Sequence, residues 1–210
     1  MLSREGFNQW ASEYEASVRE SDTEGEYPFA GYEKVKKFLE DLAGKGEGRS
    51  LLDLGCGSGE MTRMFYRKGF RVTGLDFSEK MLDMARKKMP EARFLRANFG
   101  EELPKEIQKE KYDLILMTYS LHHLQAEAQR KLVRELWKLL KEGGHLLIGD
   151  VAFESREDWE ACRKRSGSLW DGEEVYPVWE EWRSIGKEHC GAFFPLSFCA
   201  GVMVWEGKGQ

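Results

Sequence analysis

Several features that mark broad protein classes are missing from this chain of 210 residues. No stretch approaches the roughly 18 consecutive apolar residues of a membrane span, and the first six residues contain no apolar segment typical of a secretory signal. The four cysteines form no CxxC pair and no zinc-like spacing. Free thiols are typical of a reducing compartment. We therefore expect a cytoplasmic protein that neither crosses nor binds a membrane.

An excess of basic residues is also missing. The 32 basic residues are outnumbered by 37 acidic ones, which gives a formal net charge of −5. Proteins that bind nucleic acids usually carry a basic surface that neutralises phosphates. The sequence therefore predicts no nucleic-acid partner. Charged residues at 33% and hydrophobic residues at 41% indicate a globular domain with a substantial core.

The first 48 residues predict two helices. Apolar side chains at Phe7, Trp10, Tyr14 and Val18 form one helical stripe. The acidic stretch 21–26 should interrupt it, Pro28 should open the second helix, and the glycines of 44–48 should end that helix.

Strand and helix patterns alternate from residue 50 to residue 151. Strands are predicted at Ser50–Leu54, Arg71–Leu75, Arg93–Arg96, Tyr112–Thr118 and His145–Val151, and helices near Glu60–Lys68, Glu79–Met89 and Ala126–Leu140. Gly143 and Gly144 should close the last of these helices. Such alternation predicts βαβ units, and hence an α/β fold with a parallel sheet and helices on both faces.

The last third of the sequence does not continue the regular alternation of strands and helices. Helices are predicted near Arg156–Ser166 and Val178–Glu188, followed by strands at Ala192–Phe198 and Ala200–Trp205. The short connection around Cys199 should join those strands as an antiparallel hairpin. No repeat or low-complexity linker separates this part, so we expect one domain over residues 1–210.

The first strand runs into the glycine-rich sequence DLGCGSG of residues 53–59. Glycine allows a close approach of the backbone to a ligand, and the helix that follows offers free N–H groups. A dinucleotide site of the form GxGxxG needs its third glycine at the position of Glu60, where none stands. Asp53, just ahead of the loop, disfavours a pyrophosphate and suits a ligand with an ammonium group.

This loop resembles the first motif of class I S-adenosylmethionine-dependent methyltransferases, (D/E)xGxGxG. The resemblance implies a Rossmann-like, doubly wound and mostly parallel seven-stranded sheet, with S-adenosylmethionine (SAM) as cofactor. It divides the chain into N-terminal lid helices (1–48), a cofactor-binding core (50–151), and substrate-side helices with closing strands (152–210). Asp53, Gly55, Cys56, Gly57 and Gly59 are then cofactor-binding residues.

Further cofactor residues follow from later motifs. Asp76 ends the second strand, where a carboxylate can accept hydrogen bonds from both ribose hydroxyls. Family members usually carry aspartate where Asn98 stands, next to Phe99; an asparagine can still bind an adenine amino group through its carbonyl oxygen. Phe77 and Met81 are expected to enclose the adenine, unless they are ordinary core residues.

Residues 112–124 resemble the fourth-strand motif of many small-molecule methyltransferases, with Thr118 facing the cofactor. They do not resemble the Asn-Pro-Pro-Tyr motif of enzymes that methylate base amino groups. The N-terminal segment is similar to the lid helices of a bacterial subgroup of small-molecule methyltransferases, in which Tyr14 and Tyr32 would line the pocket. Both tyrosines can equally be packing residues of amphipathic helices.

No catalytic residue is evident. His122 and His123 are weak candidates for a general base, because histidine titrates near neutrality. Adjacent rings should point apart and further ligands are not evident, so we expect no metal site. Asp150, at the end of the fifth strand, is a similar candidate for contact with the substrate. The tryptophans of the last third either form an acceptor pocket or pack in the core.

The sequence therefore predicts a methyltransferase that acts on an unidentified small molecule, with quinone-type acceptors as one possibility. Two alternatives stay open. A protein of the same fold could bind SAM or S-adenosylhomocysteine (SAH) without catalysis, since fold does not guarantee activity. An NAD-dependent oxidoreductase is disfavoured by the glycine spacing and by Asp53. The oligomeric state cannot be predicted.

Overall fold

The computed structural model describes residues 14–46, 48–183 and 191–207. Eight α-helices lie in these ranges: α1 Tyr14–Glu24, α2 Tyr32–Ala43, α3 Thr62–Arg67, α4 Glu79–Lys88, α5 Lys105–Gln108, α6 Ala126–Leu139, α7 Arg156–Ser166 and α8 Trp179–Trp182. The strands are β1 Ser50–Leu54, β2 Arg71–Asp76, β3 Arg93–Arg96, β4 Tyr112–Thr118, β5 Leu140–Val151, β6 Ala192–Pro195 and β7 Ala200–Glu206. In this part of the chain, no helix is both long and apolar enough to cross a membrane.

The seven strands of the described residues form one sheet in the order β3-β2-β1-β4-β5-β7-β6. Strands β1 to β5 are parallel, whereas β7 runs antiparallel to both β5 and β6. From β1, the chain adds β2 and β3 toward one edge of the sheet, and it then crosses back to place β4 on the opposite side of β1. Ligands of open α/β sheets bind at such a reversal, beyond the carboxyl ends of the strands. The predicted doubly wound fold is confirmed.

Two hydrophobic cores cover the two faces of the sheet, as the alternation of side chains along a strand requires. In β4, Leu114 and Leu116 belong to one core, whereas Ile115 and Met117 belong to the other. Burial on both faces explains why β4 is a continuous apolar run in the sequence. The sheet is therefore a rigid platform for the loops at its edge.

Local signals set several helix boundaries where they were expected. The Ser78 hydroxyl accepts a hydrogen bond from the backbone N–H of Met81 and begins α4. Ser155 begins α7 with a reciprocal pair of hydrogen bonds to Asp158. At the carboxyl end of α2, Gly44 adopts a φ of 62°, which glycine allows at low cost.

Several predicted boundaries are wrong. Helix α1 continues through the acidic stretch to Glu24, and α2 begins at Tyr32 rather than at Pro28. Strand β5 begins at Leu140, so Gly143 and Gly144 lie inside a strand and do not close a helix. A change of register between Tyr112 and Leu114 accommodates these glycines.

The carboxyl-terminal hairpin forms as predicted, although β6 ends at Pro195 and the connection is longer. Leu196 and Ser197 both donate backbone hydrogen bonds to the carbonyl of Ala200. Of the helix predicted at Val178–Glu188, α8 covers four residues. Residues 184–190 lie outside the described ranges, as do Phe7 and Trp10 of the first predicted stripe.

Asp113 anchors the amino-terminal edge of the sheet. Its Oδ2 atom accepts hydrogen bonds from the backbone N–H of Ser50 at 2.7 Å and from the Lys141 ammonium at 2.7 Å. Partial burial raises the pKa of Asp113, but the bonds from Lys141 and Ser50 prevail and lower it to about 2. The ionised carboxylate therefore stabilises the folded state.

We expect Asp113→Asn to lower the free energy of unfolding by about 1–2 kcal/mol at pH 7, allowing for solvent screening of this quarter-exposed group. Because the folded-state pKa is depressed, this stability is present above pH 4 and is lost as pH falls toward 2. Urea unfolding between pH 7 and pH 3 measures it. The exposed neighbour in Glu142→Gln is the control. Equal stability of Asp113→Asn and the wild type at pH 7 would contradict the assignment.

Candidate functional site

A cavity opens beyond the carboxyl ends of β1, β2 and β4, beside the reversal of strand order. Its lining residues are Tyr32, Gly55, Cys56, Gly57, Ser58, Glu60, Met61, Asp76, Phe77, Met81, Phe99, Thr118, Tyr119, Ser120 and His123. Eight of the predicted cofactor residues after β1, β2, β3 and β4 are among them, together with Tyr32. The sequence motifs, although separated along the chain, thus meet at one place.

The glycine loop after β1 forms one wall of the cavity. Gly55, Gly57 and Gly59 all have positive φ, at 75°, 54° and 79°. A Cβ atom on Gly55 would lie 2.6 Å from the Cβ atom of Ser120, and one on Gly59 would lie 2.5 Å from the Cε atom of Met89. Gly59 therefore permits close packing of the loop on α4, and the structure does not place it in the cavity lining.

Asp76 holds the glycine loop in place. Its Oδ2 atom accepts a hydrogen bond from the backbone N–H of Gly57 at 2.9 Å, and its Oδ1 atom accepts one from Ser78 at 2.8 Å. Burial raises its pKa above the ordinary value, although these backbone hydrogen bonds oppose the rise. Each carboxylate oxygen has a second lone pair, so Asp76 can accept two further bonds from a ligand in the cavity.

Asp53 lies beneath the loop and not in the cavity lining. Its carboxyl group is fully buried, and its Oδ2 atom accepts a hydrogen bond from the Thr62 hydroxyl at 2.5 Å. The Oδ1 atom has no hydrogen-bond partner within the described residues. Burial raises the pKa of Asp53 to about 7. Cys56, next to the loop glycine, is also buried, and its thiol pKa is raised by burial.

Of the two cofactor residues predicted after β3, only one lines the cavity. Phe99 is buried and lines the cavity, but Asn98 is exposed and outside the lining. The Asn98 side chain bonds within its own loop, accepting from the Gly100 N–H at 3.0 Å and donating to Glu101 at 3.0 Å. Its carbonyl oxygen keeps a second lone pair.

Aromatic rings close the side of the cavity near β4. Tyr32 stacks on Tyr119 with ring centroids 5.3 Å apart, and Phe29 lies 5.3 Å from the same ring. Tyr119 has a φ of 47°, which is uncommon for a bulky residue and typical of functional positions. The side chain of Tyr14, the other predicted lid tyrosine, lies outside the described residues.

Helix α1 contacts the glycine loop through Glu15. The Glu15 carboxylate accepts hydrogen bonds from the Ser58 hydroxyl and from the Lys88 ammonium, both at 2.6 Å. Lys88 also lies 3.2 Å from the carboxylate of Glu60, which lines the cavity. Partial burial raises the pKa of Glu15, but the bonds from Lys88 and Ser58 outweigh it and lower the pKa.

His122 and His123 lie in the short turn after β4, and only His123 lines the cavity. His122 is buried, and its Nδ1 atom lies 2.5 Å from the Oδ1 atom of Asp150. Burial lowers the pKa of His122, but the carboxylates of Asp150, Glu174 and Asp171 raise it above its ordinary value. Asp150 therefore orients His122 and does not line the cavity.

The expectation that the two histidine rings point apart is wrong. Their centroids are 4.1 Å apart, because one turn of 3₁₀-helix brings both rings toward Glu174. The Oε1 atom of Glu174 lies 3.5 Å from the Nε2 atom of His122 and 3.4 Å from the Nδ1 atom of His123. The three side chains form a group of metal-ligand type.

The five tryptophans of the last third do not line the cavity. Trp179, Trp182 and Trp205 pack against one another in the core, and Trp159 and Trp170 form an edge-to-face pair on the other side of the sheet. Their role in the described residues is packing, so they supply no wall for an acceptor at this cavity.

Sequence reasoning missed six residues of the site. Five line the cavity: Ser58, Glu60, Met61, Tyr119 and Ser120. All five stand within or next to the quoted motifs, so reading each motif through to its end would have found them. The sixth, Glu174, lies in a segment without periodicity and gave no signal.

Comparisons with known proteins bear on the family and on the fold of this chain. The model of a methyltransferase domain family matches residues 51–144. An uncharacterized methyltransferase of Geobacillus thermodenitrificans (strain NG80-2) is 31% identical over 163 residues, which are 76% of this chain and 73% of that protein.

Solved structures share the fold. A complex of DhpI with SAH superposes with a TM-score of 0.71 at 18% identity, covering 99% of this chain and 96% of that one. Magnesium protoporphyrin IX methyltransferase from Synechocystis PCC 6803 with bound SAH gives a TM-score of 0.66 at 18% identity, with coverage of 86% and 85%. At these identities the similarity shows the fold alone.

Proposed function

Because the chain belongs to the class I S-adenosylmethionine-dependent methyltransferases, we propose that it binds SAM in the cavity and transfers the methyl group to a small-molecule acceptor. The observation that carries the proposal is the position of Asp76, which lines the cavity and bonds to the Gly57 N–H. We also propose that residues 1–210 act as one domain, with 1–48 as lid, 50–151 as cofactor core and 152–210 on the substrate side.

The lining residues fit the parts of SAM. The carboxylate of Asp76 is proposed to accept hydrogen bonds from the ribose hydroxyls, and the Gly55 and Gly57 backbone allows the cofactor to approach. Phe77, Met81 and Phe99 offer apolar surface for the adenine. Asn98 is exposed and lies outside the lining, but its second carbonyl lone pair is proposed to accept from the adenine amino group, as the family resemblance implies.

The buried Asp53 supports a cationic ligand. A buried oxygen without a partner costs free energy, and Asp53 Oδ1 meets no hydrogen-bond partner among the described residues. An ammonium group nearby would favour the ionised form of Asp53 and so lower its pKa. The amino acid end of SAM carries this group, whereas a pyrophosphate would be repelled.

In methyl transfer, the residues of this chain mainly need to orient the methyl donor and the acceptor and to exclude water from the cavity. When bound, SAM supplies a methyl group activated by its positive sulfur. Tyr32 and Tyr119 cover one side of the cavity, and Thr118 and Ser120 line it at the end of β4. Of the two histidines, His123 is the one that lines the cavity, so it is the candidate to accept a proton from an acceptor.

A small molecule is proposed as the acceptor for two reasons. The net charge of −5 disfavours a polyanionic substrate, and the fourth-strand motif lacks the Asn-Pro-Pro-Tyr sequence of base-methylating enzymes.

Calorimetric titration with SAH, with NAD as control, tests the proposal. We expect saturable binding of SAH at one site per chain and no binding of NAD. Screening of acceptors with SAM then separates an enzyme from a protein that binds the cofactor without turnover. Binding of NAD, or of neither ligand, would overturn the assignment of the cavity.

A further inference from the structure

His122, His123 and Glu174 present three ligand atoms to one point. One nitrogen of His122, one nitrogen of His123 and one carboxylate oxygen of Glu174 all lie within 4.8 Å of one another. The distances from Glu174 Oε1 to His122 Nε2 and to His123 Nδ1 are 3.5 Å and 3.4 Å. They match the edge of a tetrahedron with ligand bonds of about 2.0–2.1 Å, which is about 3.3 Å.

The surroundings of the three ligands orient them as in a metal site. His122 Nδ1 lies 2.5 Å from Asp150, so in the neutral ring the proton sits on Nδ1 and the lone pair on Nε2. Asp150 is itself held by the backbone N–H groups of Leu121 and His122. Carboxylate–histidine pairs of this kind are the usual outer shell of protein metal sites.

The second oxygen of Glu174 is occupied, which leaves the first for a cation. The Tyr176 hydroxyl donates to Glu174 Oε2 at 2.6 Å. With Asp150 and Asp171 close by, carboxylates surround the histidines and the local charge favours a cation.

We propose that His122, His123 and Glu174 form a three-ligand site for a divalent transition-metal ion of the zinc class. Two imidazoles and one carboxylate suit Zn²⁺ or Co²⁺ and not Mg²⁺ or Ca²⁺, which prefer oxygen ligands. Three protein ligands leave one position of a tetrahedron open. This site goes beyond the proposed methyl transfer and does not depend on it.

The site adjoins the cavity, because His123 also lines the cavity. The Nδ1 lone pair of His123 cannot hold both a metal ion and a proton. If methyl transfer occurs as proposed, a bound cation would therefore keep His123 from accepting the acceptor's proton, and would supply Lewis-acid chemistry beside the cavity while that proton passes to solvent.

Metal titration of the full chain, after treatment with a chelator, tests this site. We expect calorimetry to show one Zn²⁺ per chain, and Co²⁺ to give the intense visible absorption of a tetrahedral complex. Glu174→Gln should weaken Zn²⁺ binding more than 100-fold. Asp150→Asn, which changes a positioning residue, should weaken it roughly 10- to 100-fold.

Matched controls exclude a general effect of charge or of histidine content. Glu173→Gln removes the same charge one residue away, and His145→Ala removes another of the four histidines; both should bind Zn²⁺ within about threefold of the wild type. Circular dichroism and thermal unfolding check that each variant folds. If Glu174→Gln does not fold, His123→Ala takes its place, with the same expected loss.

The proposal is overturned if the wild type binds no Zn²⁺ saturably, or if a folded Glu174→Gln or His123→Ala variant binds it as the wild type does. Titration of the same samples with SAH keeps the two proposals apart. Binding of SAH without Zn²⁺ would reject the metal site alone, whereas binding of Zn²⁺ without SAH would reject the cofactor assignment alone.

Discussion

Replacing Asp76 with alanine is expected to weaken the binding of SAH by about 1.5–3 kcal/mol, roughly 10- to 150-fold. The reason is the loss of charge-assisted hydrogen bonds to the ribose hydroxyls in a site that is shielded from water. The Gly57 N–H loses its partner as well, so the loop is less well ordered before the ligand arrives. Isothermal calorimetry of the purified variant measures the effect.

Asp83→Ala is the matched control for Asp76→Ala. Asp83 is an exposed carboxylate on α4, outside the cavity lining, so its removal changes the net charge equally and should leave SAH affinity unchanged. Thermal unfolding of both variants monitors the fold. An Asp76→Ala protein that folds and binds SAH with wild-type affinity would show that the carboxylate does not hold the ribose.

Gly57→Val is expected to abolish detectable SAH binding, a loss of more than about 100-fold, or over 2.7 kcal/mol. A Cβ atom at this position meets no protein atom within 4 Å, and Gly57 lines the cavity. The valine side chain therefore takes space that the cofactor needs. The φ of 54° adds backbone strain of about 1–2 kcal/mol.

The control variant Gly143→Val distinguishes the two effects of Gly57→Val, namely steric blocking of the cavity and backbone strain. Gly143 has a φ of 67°, and a Cβ atom there also meets nothing within 4 Å, but the residue lies in β5 outside the cavity lining. Both variants should lose similar stability in thermal unfolding, and only Gly57→Val should lose SAH affinity. Retained binding by Gly57→Val would mean that the cofactor lies elsewhere.

The central strands could be predicted because burial on both faces leaves a simple pattern. The central strands β1 and β4 were predicted with the bounds that the structure shows, as was the half-buried edge strand β3, and the helix predicted near Glu79–Met89 begins at Glu79 as α4. The start of β5 could not be predicted. Gly143-Gly144 is typical of a helix end; the strand passes through it because Leu140 pairs with Tyr112 of β4 and because Gly143 and Gly144 exchange backbone hydrogen bonds with Gly207.

The candidate site was predicted in part for a similar reason. The glycine loop and Asp76 follow strands closely, so topology alone brings them together. Glu174 lies about fifty residues from the histidines it contacts, on an irregular segment whose path depends on tertiary contacts. The Val175 N–H, for example, bonds to the carbonyl of His122. No periodic pattern in the sequence encodes such a contact.

The hydrogen bonds of Glu15 with Ser58 and Lys88 connect α1 to the glycine loop, and this connection couples the position of α1 to ligand binding. The three residues come from three separate segments, so their hydrogen bonds form only when α1, the loop and α4 are in place together. Suppose that a ligand binds more tightly when α1 is docked on the loop than when it is not. The free energy by which docking of α1 strengthens ligand binding then equals the free energy by which the ligand stabilises the docked helix. The affinity of the cavity for such a ligand and the stability of α1 packed on the glycine loop therefore report the same coupling free energy.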